Sequence, residues 1–167
     1  NVGSRRPPLV ICVGTAQTVE TWAFHLTNGL KNRTVLLYEA AGLGRSPRTD
    51  DVSLPTQASQ LIRTIQATFP NEQVDLAGFS LGGRIAMAAV CVNTSIVRKL
   101  HLTGVSLGRS DSGYLQLLAW KDHLQNDNLR AFAWAALLAS YSSAFLRRSE
   151  IRLPMWVQSV CDSHECS

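Results

Sequence analysis

The sequence has few charged residues and no long hydrophobic run, and both shortages narrow the classes of protein it can belong to. Charged side chains make up 17% of the 167 residues, against a hydrophobic fraction of 46%. That balance is typical of a folded globular domain rather than of a disordered chain. A membrane-spanning helix needs ~18 or more continuous apolar residues, and the most apolar stretch, residues 131–139, is much shorter. We therefore expect no membrane span.

Positive charge is in slight excess, but it is not concentrated anywhere. Lys and Arg number 16 against 12 Asp and Glu, which gives a net charge of +4. The densest basic cluster holds only Arg147, Arg148 and Arg152. Nucleic-acid-binding proteins usually present a basic stripe or patch. We therefore expect no nucleic-acid partner.

Cysteine is also scarce, at four residues. Cys12 falls in an apolar, strand-like run and Cys91 in a helical one, as is typical of free buried thiols. Cys161 and Cys166 flank His164, but their spacing is not a known zinc motif and a fourth ligand is missing. We therefore expect no disulfide framework and no metal, and no other feature of the sequence predicts a cofactor.

The start of the sequence carries no pattern of a secretory leader. Together with the pattern of cysteine usage, this favours an intracellular location, either cytoplasmic or organellar. The first residue is Asn1 rather than methionine, which suggests a processed product or a fragment.

Strand-like and helical patterns alternate through the first 108 residues. Apolar runs predict strands over 9–13, 34–38, 74–77 and 100–107, and spacings of three and four predict helices over 18–30, 58–69 and 84–92. Alternation of this kind favours a mainly parallel sheet with helices on its faces. The predicted fold class is therefore α/β, with about four strands in residues 1–108.

From residue 109 onward the pattern predicts helices alone, over 110–125, 129–140 and 144–156. Because these segments are rich in Trp, Phe and Leu, we expect residues 109–157 to form a helical cap and 158–167 a tail. A set of helices simply packed on the sheet is the alternative.

The motif with the most specific chemistry follows the third predicted strand. Gly78, Ser80 and Gly82 alternate with single residues, and Gly83 opens a helical segment. In a nucleophile elbow the serine lies on a sharp strand-to-helix turn, where glycines avoid collisions with the neighbouring strand and helix. A Gly-x-Ser-x-Gly match also occurs by chance, but the strand before it and the helix after it favour the functional interpretation. We predict Ser80 as a nucleophile, with the Leu81 N–H directed at a substrate oxyanion.

This motif and two upstream segments resemble the α/β-hydrolase superfamily, over residues 9 to about 156. Residues 13–18, followed by Trp22, are similar to the family's His-Gly-x loop. The resemblance implies that the Thr15 N–H is the second oxyanion donor. Residues 39–46 are similar to the family's Asp-x-x-Gly-x-Gly-x-Ser turn.

The chain departs from this family pattern in two ways. Val13 stands where His is usual and Glu39 where Asp is usual. In addition, the family places the triad acid and histidine on loops after later strands, and no such strands are recognisable after residue 108. Asp111 is a candidate orienting carboxylate, with helix capping as the alternative, and none of the four histidines is placed to deprotonate Ser80.

The resemblance implies a serine hydrolase acting on a small ester, thioester or related acyl compound, here as a fragment that lacks the triad acid and histidine. Three alternatives stay open. One is a relative with lyase-type chemistry, similar to the menaquinone-pathway synthase. Another is a non-catalytic derivative that binds a ligand or partner. The third is a truncated gene model or splice product. Separately, the open sheet edge at residues 100–107 favours self-association.

Overall fold

The computed structural model describes residues 6–15, 17–26, 30, 33–108 and 110–165. These residues form two compact units, which are Asn1–Val105 and Ser106–Ser167. The first unit holds every strand of the described residues, and the second is helical. The side chains of His25 and His164, and all of Cys166, lie outside the described part of the chain.

The first unit is built on one parallel sheet. Its strands lie in the order β2-β1-β3-β4. Their bounds are β1 Leu9–Cys12, β2 Val35–Tyr38, β3 Val74–Phe79 and β4 Val97–Thr103. The predicted parallel sheet of about four strands is confirmed. β3 lies inside the sheet, with Val74 and Leu76 fully buried, as is typical of an interior strand of a parallel sheet.

Helices α1 (Val19–Leu26), α2 (Leu54–Thr68) and α3 (Leu81–Val92) accompany this sheet. α2 begins with Pro55 in its first turn, where the missing N–H of proline costs nothing. The apolar faces of α2 and α3 pack into one core with side chains of the strands. The buried helix residues of that core are Ala58, Leu61, Ile62, Ile65, Ile85, Ala86 and Ala89.

The fourth strand begins earlier and ends earlier than the predicted 100–107. A short 3-10 turn at Thr94–Ile96, capped by the Asn93 side chain, leads directly into β4. Gly104 then adopts a φ of +66°, which ends the extended backbone at Thr103. The predicted bounds were wrong because the apolar residues from 100 to 107 continue past this glycine.

The second unit consists of α4 (Asp111–Gln125), α5 (Leu129–Ser140), α6 (Ser143–Ser149) and α7 (Leu153–Glu165). Its small core holds Ala133, Val157 and Cys161. A 3-10 turn at Glu150–Arg152 divides the helix predicted over 144–156, and α7 continues through residues assigned to a tail. The cap role of this unit stays a prediction.

Every helix in the described ranges falls short of the length and apolar character that a bilayer crossing demands.

Candidate active site

Ser80 lies at the sharp turn between β3 and α3. Its backbone has φ 51° and ψ −115°, a conformation that costs a non-glycine residue about 1–3 kcal/mol. The Ser80 N–H donates to the carbonyl oxygen of Thr103 at 2.9 Å, and the Ser80 carbonyl accepts from Arg84 N–H at 3.1 Å. The turn is therefore held on both sides while the serine itself is exposed.

Three glycines make this turn sterically feasible. A Cβ on Gly78 would stand 2.5 Å from the Cα of Gly83, and one on Gly82 would stand 2.4 Å from the carbonyl oxygen of Val13. A Cβ on Gly83 would stand 2.3 Å from a methyl carbon of Val105 and 3.0 Å from the Gly78 carbonyl oxygen. Larger residues do not fit at these positions without movement of backbone or core, as the sequence spacing predicts.

The loop after β1 borders the same serine. A Cβ on Gly14 would lie 3.3 Å from the Cβ of Ser80 and 3.1 Å from the Phe79 carbonyl oxygen. Thr15 follows as an exposed turn residue. Neither the Thr15 N–H nor the Leu81 N–H has an acceptor among the described residues. Two backbone donors on segments that flank a serine can stabilise a developing oxyanion.

Gln17 was not singled out by the sequence, yet its side chain holds this loop. Its Oε1 accepts from the Gly14 N–H at 2.7 Å and from the Trp22 indole N–H at 3.0 Å. The Trp22 ring packs against Phe79 with a centroid separation of 4.4 Å. The only sequence signal was a polar residue three positions after the glycine and five before the tryptophan.

Glu39 joins two further loops. One carboxylate oxygen accepts from the Val19 N–H at the start of α1, at 2.7 Å, and the other accepts from the Arg45 N–H at 3.1 Å. The Ser46 hydroxyl donates to the Glu39 carbonyl oxygen at 2.8 Å. Gly44 has φ +53°, and a Cβ there would overlap the Glu39 carboxylate. The acidic residue at this position thus holds the turn that precedes α2.

Asp111, the candidate orienting acid, belongs to the second unit, whereas Ser80 belongs to the first. Within the described residues, Ser80 Oγ makes no side-chain hydrogen bond. His101 lies on β4 with its Nε2 3.0 Å from the Thr103 hydroxyl. Asp111 is the first residue of α4 and exposed, where a negative charge suits the helix N-terminus. His123 lies in the last turn of α4.

The thiol of Cys12 lies at the end of β1, directly before the loop beside Ser80, but it is fully buried. Burial raises the pKa of its thiol far above the ordinary range. The thiol therefore stays protonated and unreactive in the folded state, whereas Ser80 is exposed.

The chain matches known proteins over most of its length. A family profile described as "alpha/beta hydrolase fold" matches residues 7–153. The sequence is 28% identical over 152 residues to pyrrolizixenacetamide deacetylase of Xenorhabdus hominickii, which covers 88% of this chain and 56% of that protein. The chain thus spans little more than half the length of this curated relative.

Solved structures give the same fold. MGS-M2, an alpha/beta hydrolase enzyme from a Medee basin deep-sea metagenome library, is 19% identical with a TM-score of 0.74, over 98% of this chain and 62% of its own. The enol-lactonase from Burkholderia xenovorans LB400 is 16% identical with a TM-score of 0.71, over 91% of this chain and 58% of its own. At such identities the likeness shows the fold alone.

Proposed function

Because the chain belongs to the α/β-hydrolase family, we propose that it carries the nucleophilic half of a serine hydrolase acting on a small ester, thioester or related acyl compound. The observation that carries the proposal is Ser80, exposed on a strained turn and flanked by the N–H groups of Thr15 and Leu81. Strain at an exposed nucleophile is an arrangement that enzymes maintain for chemistry.

The reaction begins when Ser80 Oγ attacks the acyl carbon and its proton passes to a base. The Thr15 and Leu81 N–H groups donate to the oxyanion of the tetrahedral intermediate. Collapse of that intermediate expels the alcohol, thiol or amine and leaves an acyl-serine, which water then hydrolyses. The substrate class is supported by the name of one similar protein, a deacetylase, since deacetylation is cleavage of an acyl bond.

This proposal does not identify the base that takes the proton from Ser80 Oγ. Since no described side chain hydrogen bonds to Ser80 Oγ, we expect the 167-residue chain alone to turn over slowly. Oxyanion stabilisation and binding retain roughly 10³–10⁴-fold over water when triad members are lost. Asp111 stays a prediction as the orienting acid.

A fluorophosphonate probe tests the proposal directly. Attack forms an Oγ–P bond as fluoride leaves, and the hydroxyl proton passes to base or solvent. We expect labelling of Ser80 in the chain and faster labelling in any longer product of the gene. Ser80→Ala should abolish it, whereas Ser59→Ala, a serine on the surface of α2 that bonds the Pro55 carbonyl, should not. Labelling that survives Ser80→Ala, or no labelling of either product, would overturn the proposal.

The missing base also favours a second candidate, a non-catalytic derivative that binds a ligand or partner. In that case no acyl or phosphonyl adduct forms at Ser80 in any form of the protein. A lyase-type relative that uses the same elbow would instead form the adduct, and analysis of products from candidate acyl substrates would reveal elimination rather than hydrolysis.

The open edge of the sheet supports self-association. β4 is exposed along Arg98–Thr103, with Leu100 38% and Leu102 37% exposed, whereas the other edge strand, β2, is half-buried or buried. An uncovered apolar edge strand can pair with a second copy. Sedimentation should show a concentration-dependent dimer that Leu100→Lys disrupts and that Leu115→Lys, on exposed α4, does not. A monomer at every concentration contradicts this proposal.

An intracellular location is the remaining part of the proposal. It is supported by Cys12, Cys91 and Cys161, which are free thiols in the described residues, since oxidising compartments favour disulfides. Fractionation of cells that express the tagged protein would test it, and recovery from the secreted fraction would contradict it.

A further inference from the structure

The loop after β1 holds the Thr15 N–H, the donor that the proposed reaction needs. Among its described residues Gly14, Thr15 and Gln17, one backbone hydrogen bond is formed, from the Gln17 N–H to the Gly14 carbonyl oxygen at 3.2 Å. The residue before it, Val13, is apolar and 1% exposed, so its side chain offers no polar contact. A loop that must keep an N–H donor about 2.7–3.1 Å from an oxyanion needs a further constraint.

The Gln17 carboxamide supplies that constraint. Its oxygen has two lone pairs, and both find N–H donors, at 2.7 Å from Gly14 and 3.0 Å from Trp22. The Gly14 amide is buried, so loss of the acceptor would leave this donor unsatisfied inside the protein. The two bonds fix both the loop and the first turns of α1 to one atom.

The contacts of Gln17 extend to Ser80 through neighbouring residues. The Trp22 ring packs on Phe79 at 4.4 Å, and Phe79 directly precedes Ser80 on β3. Gly14, the other partner of Gln17, borders the Ser80 Cβ. Gln17 is therefore joined to the elbow from two directions, through its hydrogen bond to the loop and through the aromatic pair.

We propose that Gln17 is the positioning residue of the oxyanion loop: its carboxamide oxygen holds Gly14 so that the next N–H, that of Thr15, stays aligned with the oxyanion formed at Ser80. This inference rests on the proposed function, because alignment has a catalytic consequence only if Ser80 is acylated. It assigns Gln17 no contact with substrate.

The test compares Gln17→Met, which removes the acceptor at nearly constant volume, with Gln17→Glu, which keeps an acceptor oxygen at the same distance along the side chain. The matched control is Gln57→Met. Gln57 is also a buried glutamine, 5% exposed, that binds backbone by two hydrogen bonds to Ala41. Its loss costs stability but does not touch the loop beside Ser80.

We expect Gln17→Met to slow fluorophosphonate labelling of Ser80 by at least about tenfold, since complete loss of one oxyanion donor costs ~10²–10³ in rate. Gln17→Glu should stay within about threefold of the unaltered chain by the same argument, and Gln57→Met should label at the unaltered rate. Equal labelling rates in Gln17→Met and Gln57→Met, both folded by circular dichroism, would overturn the inference.

A second readout separates this inference from the proposed function. Hydrogen exchange at the Gly14 amide should speed up in Gln17→Met but not in Gln17→Glu, and Trp22 emission should shift as the indole loses its acceptor. If the unaltered chain and its longer product fail to label, the hydrolase proposal fails, and the exchange result still decides whether Gln17 holds the loop. Unchanged exchange in Gln17→Met overturns the inference in either case.

Discussion

Gly82 lies against the end of β1, where a Cβ on this residue would stand 2.4 Å from the carbonyl oxygen of Cys12. A backbone carbonyl cannot move aside as the tip of a flexible side chain can, so α3 would have to move away from β1. We predict that Gly82→Ala lowers the free energy of unfolding by at least about 1–3 kcal/mol. Urea denaturation followed by circular dichroism measures the loss.

The control for this prediction is Gly108→Ala. A Cβ on Gly108 meets no atom within 4 Å, so the variant should unfold within about 0.5 kcal/mol of the unaltered chain. Similar losses for both glycines would contradict the steric explanation of the elbow.

Backbone strain at Ser80 gives a second prediction. Alanine retains the cost of φ 51°, whereas glycine adopts that conformation freely. The strain costs the alanine variant about 1–3 kcal/mol. The glycine variant avoids it but loses more chain entropy on folding, which costs about 0.5–1 kcal/mol. Ser80→Gly should therefore be more stable than Ser80→Ala by roughly 1 kcal/mol, measured by thermal and urea unfolding. Both variants lack the hydroxyl, so an alanine variant of equal or greater stability would rule out the strain.

The ion pairs of Asp75 predict a pH dependence. Its Oδ2 accepts hydrogen bonds from Arg33 and, at 2.6 Å, from Arg98. Burial raises the pKa of this carboxyl, but the bonds from Arg98 and Arg33 outweigh it and leave the pKa below the ordinary 3.8. The folded state thus favours the carboxylate, and the stabilisation is present above pH 3.8 and lost as pH falls through the folded pKa.

We expect Asp75→Asn to lower the free energy of unfolding at pH 7 by about 1–3 kcal/mol, less than for a fully buried pair because Arg98 is partly exposed. Its stability should also fall less steeply than that of the unaltered chain as the pH drops below 4. Urea unfolding from pH 7 to 2.5 measures both effects. Asp50→Asn, in the exposed turn before α2, is the control and should leave the fall in stability below pH 4 unchanged.

Thiol reactivity gives a further prediction. Cys91 is exposed on α3, so the expectation of a buried thiol there was wrong, whereas Cys12 is buried. Burial raises the pKa of the Cys12 thiol. The thiolate is the reactive form, so Cys91 should react with a disulfide reagent in the folded chain and Cys12 only after unfolding. Mass spectrometry of tryptic peptides at successive times identifies each site. Modification of Cys12 in the folded state at the rate of Cys91 would contradict the buried position of β1.

The sequence by itself determined the parallel sheet and the turn at Ser80. Both are local in origin, because the alternation of apolar runs indicates which segments are strands, and glycines two residues before and two residues after a serine indicate a steric need. The bounds of β4 were wrong because one positive φ at Gly104, rather than hydrophobicity, ends the strand.

Only the tertiary structure decided how the loops beside Ser80 are held. Glu39 reaches the Val19 N–H across 20 positions of sequence, and the Trp22 ring meets Phe79 only because β1 and β3 are neighbours in register. A hydrogen bond between two loops depends on how the sheet positions the strands that the loops follow. A residue pattern indicates which side chains are buried, but not which groups they bond. The hydrogen-bond partners of Gln17 and Glu39 therefore could not be predicted from the pattern of residues alone.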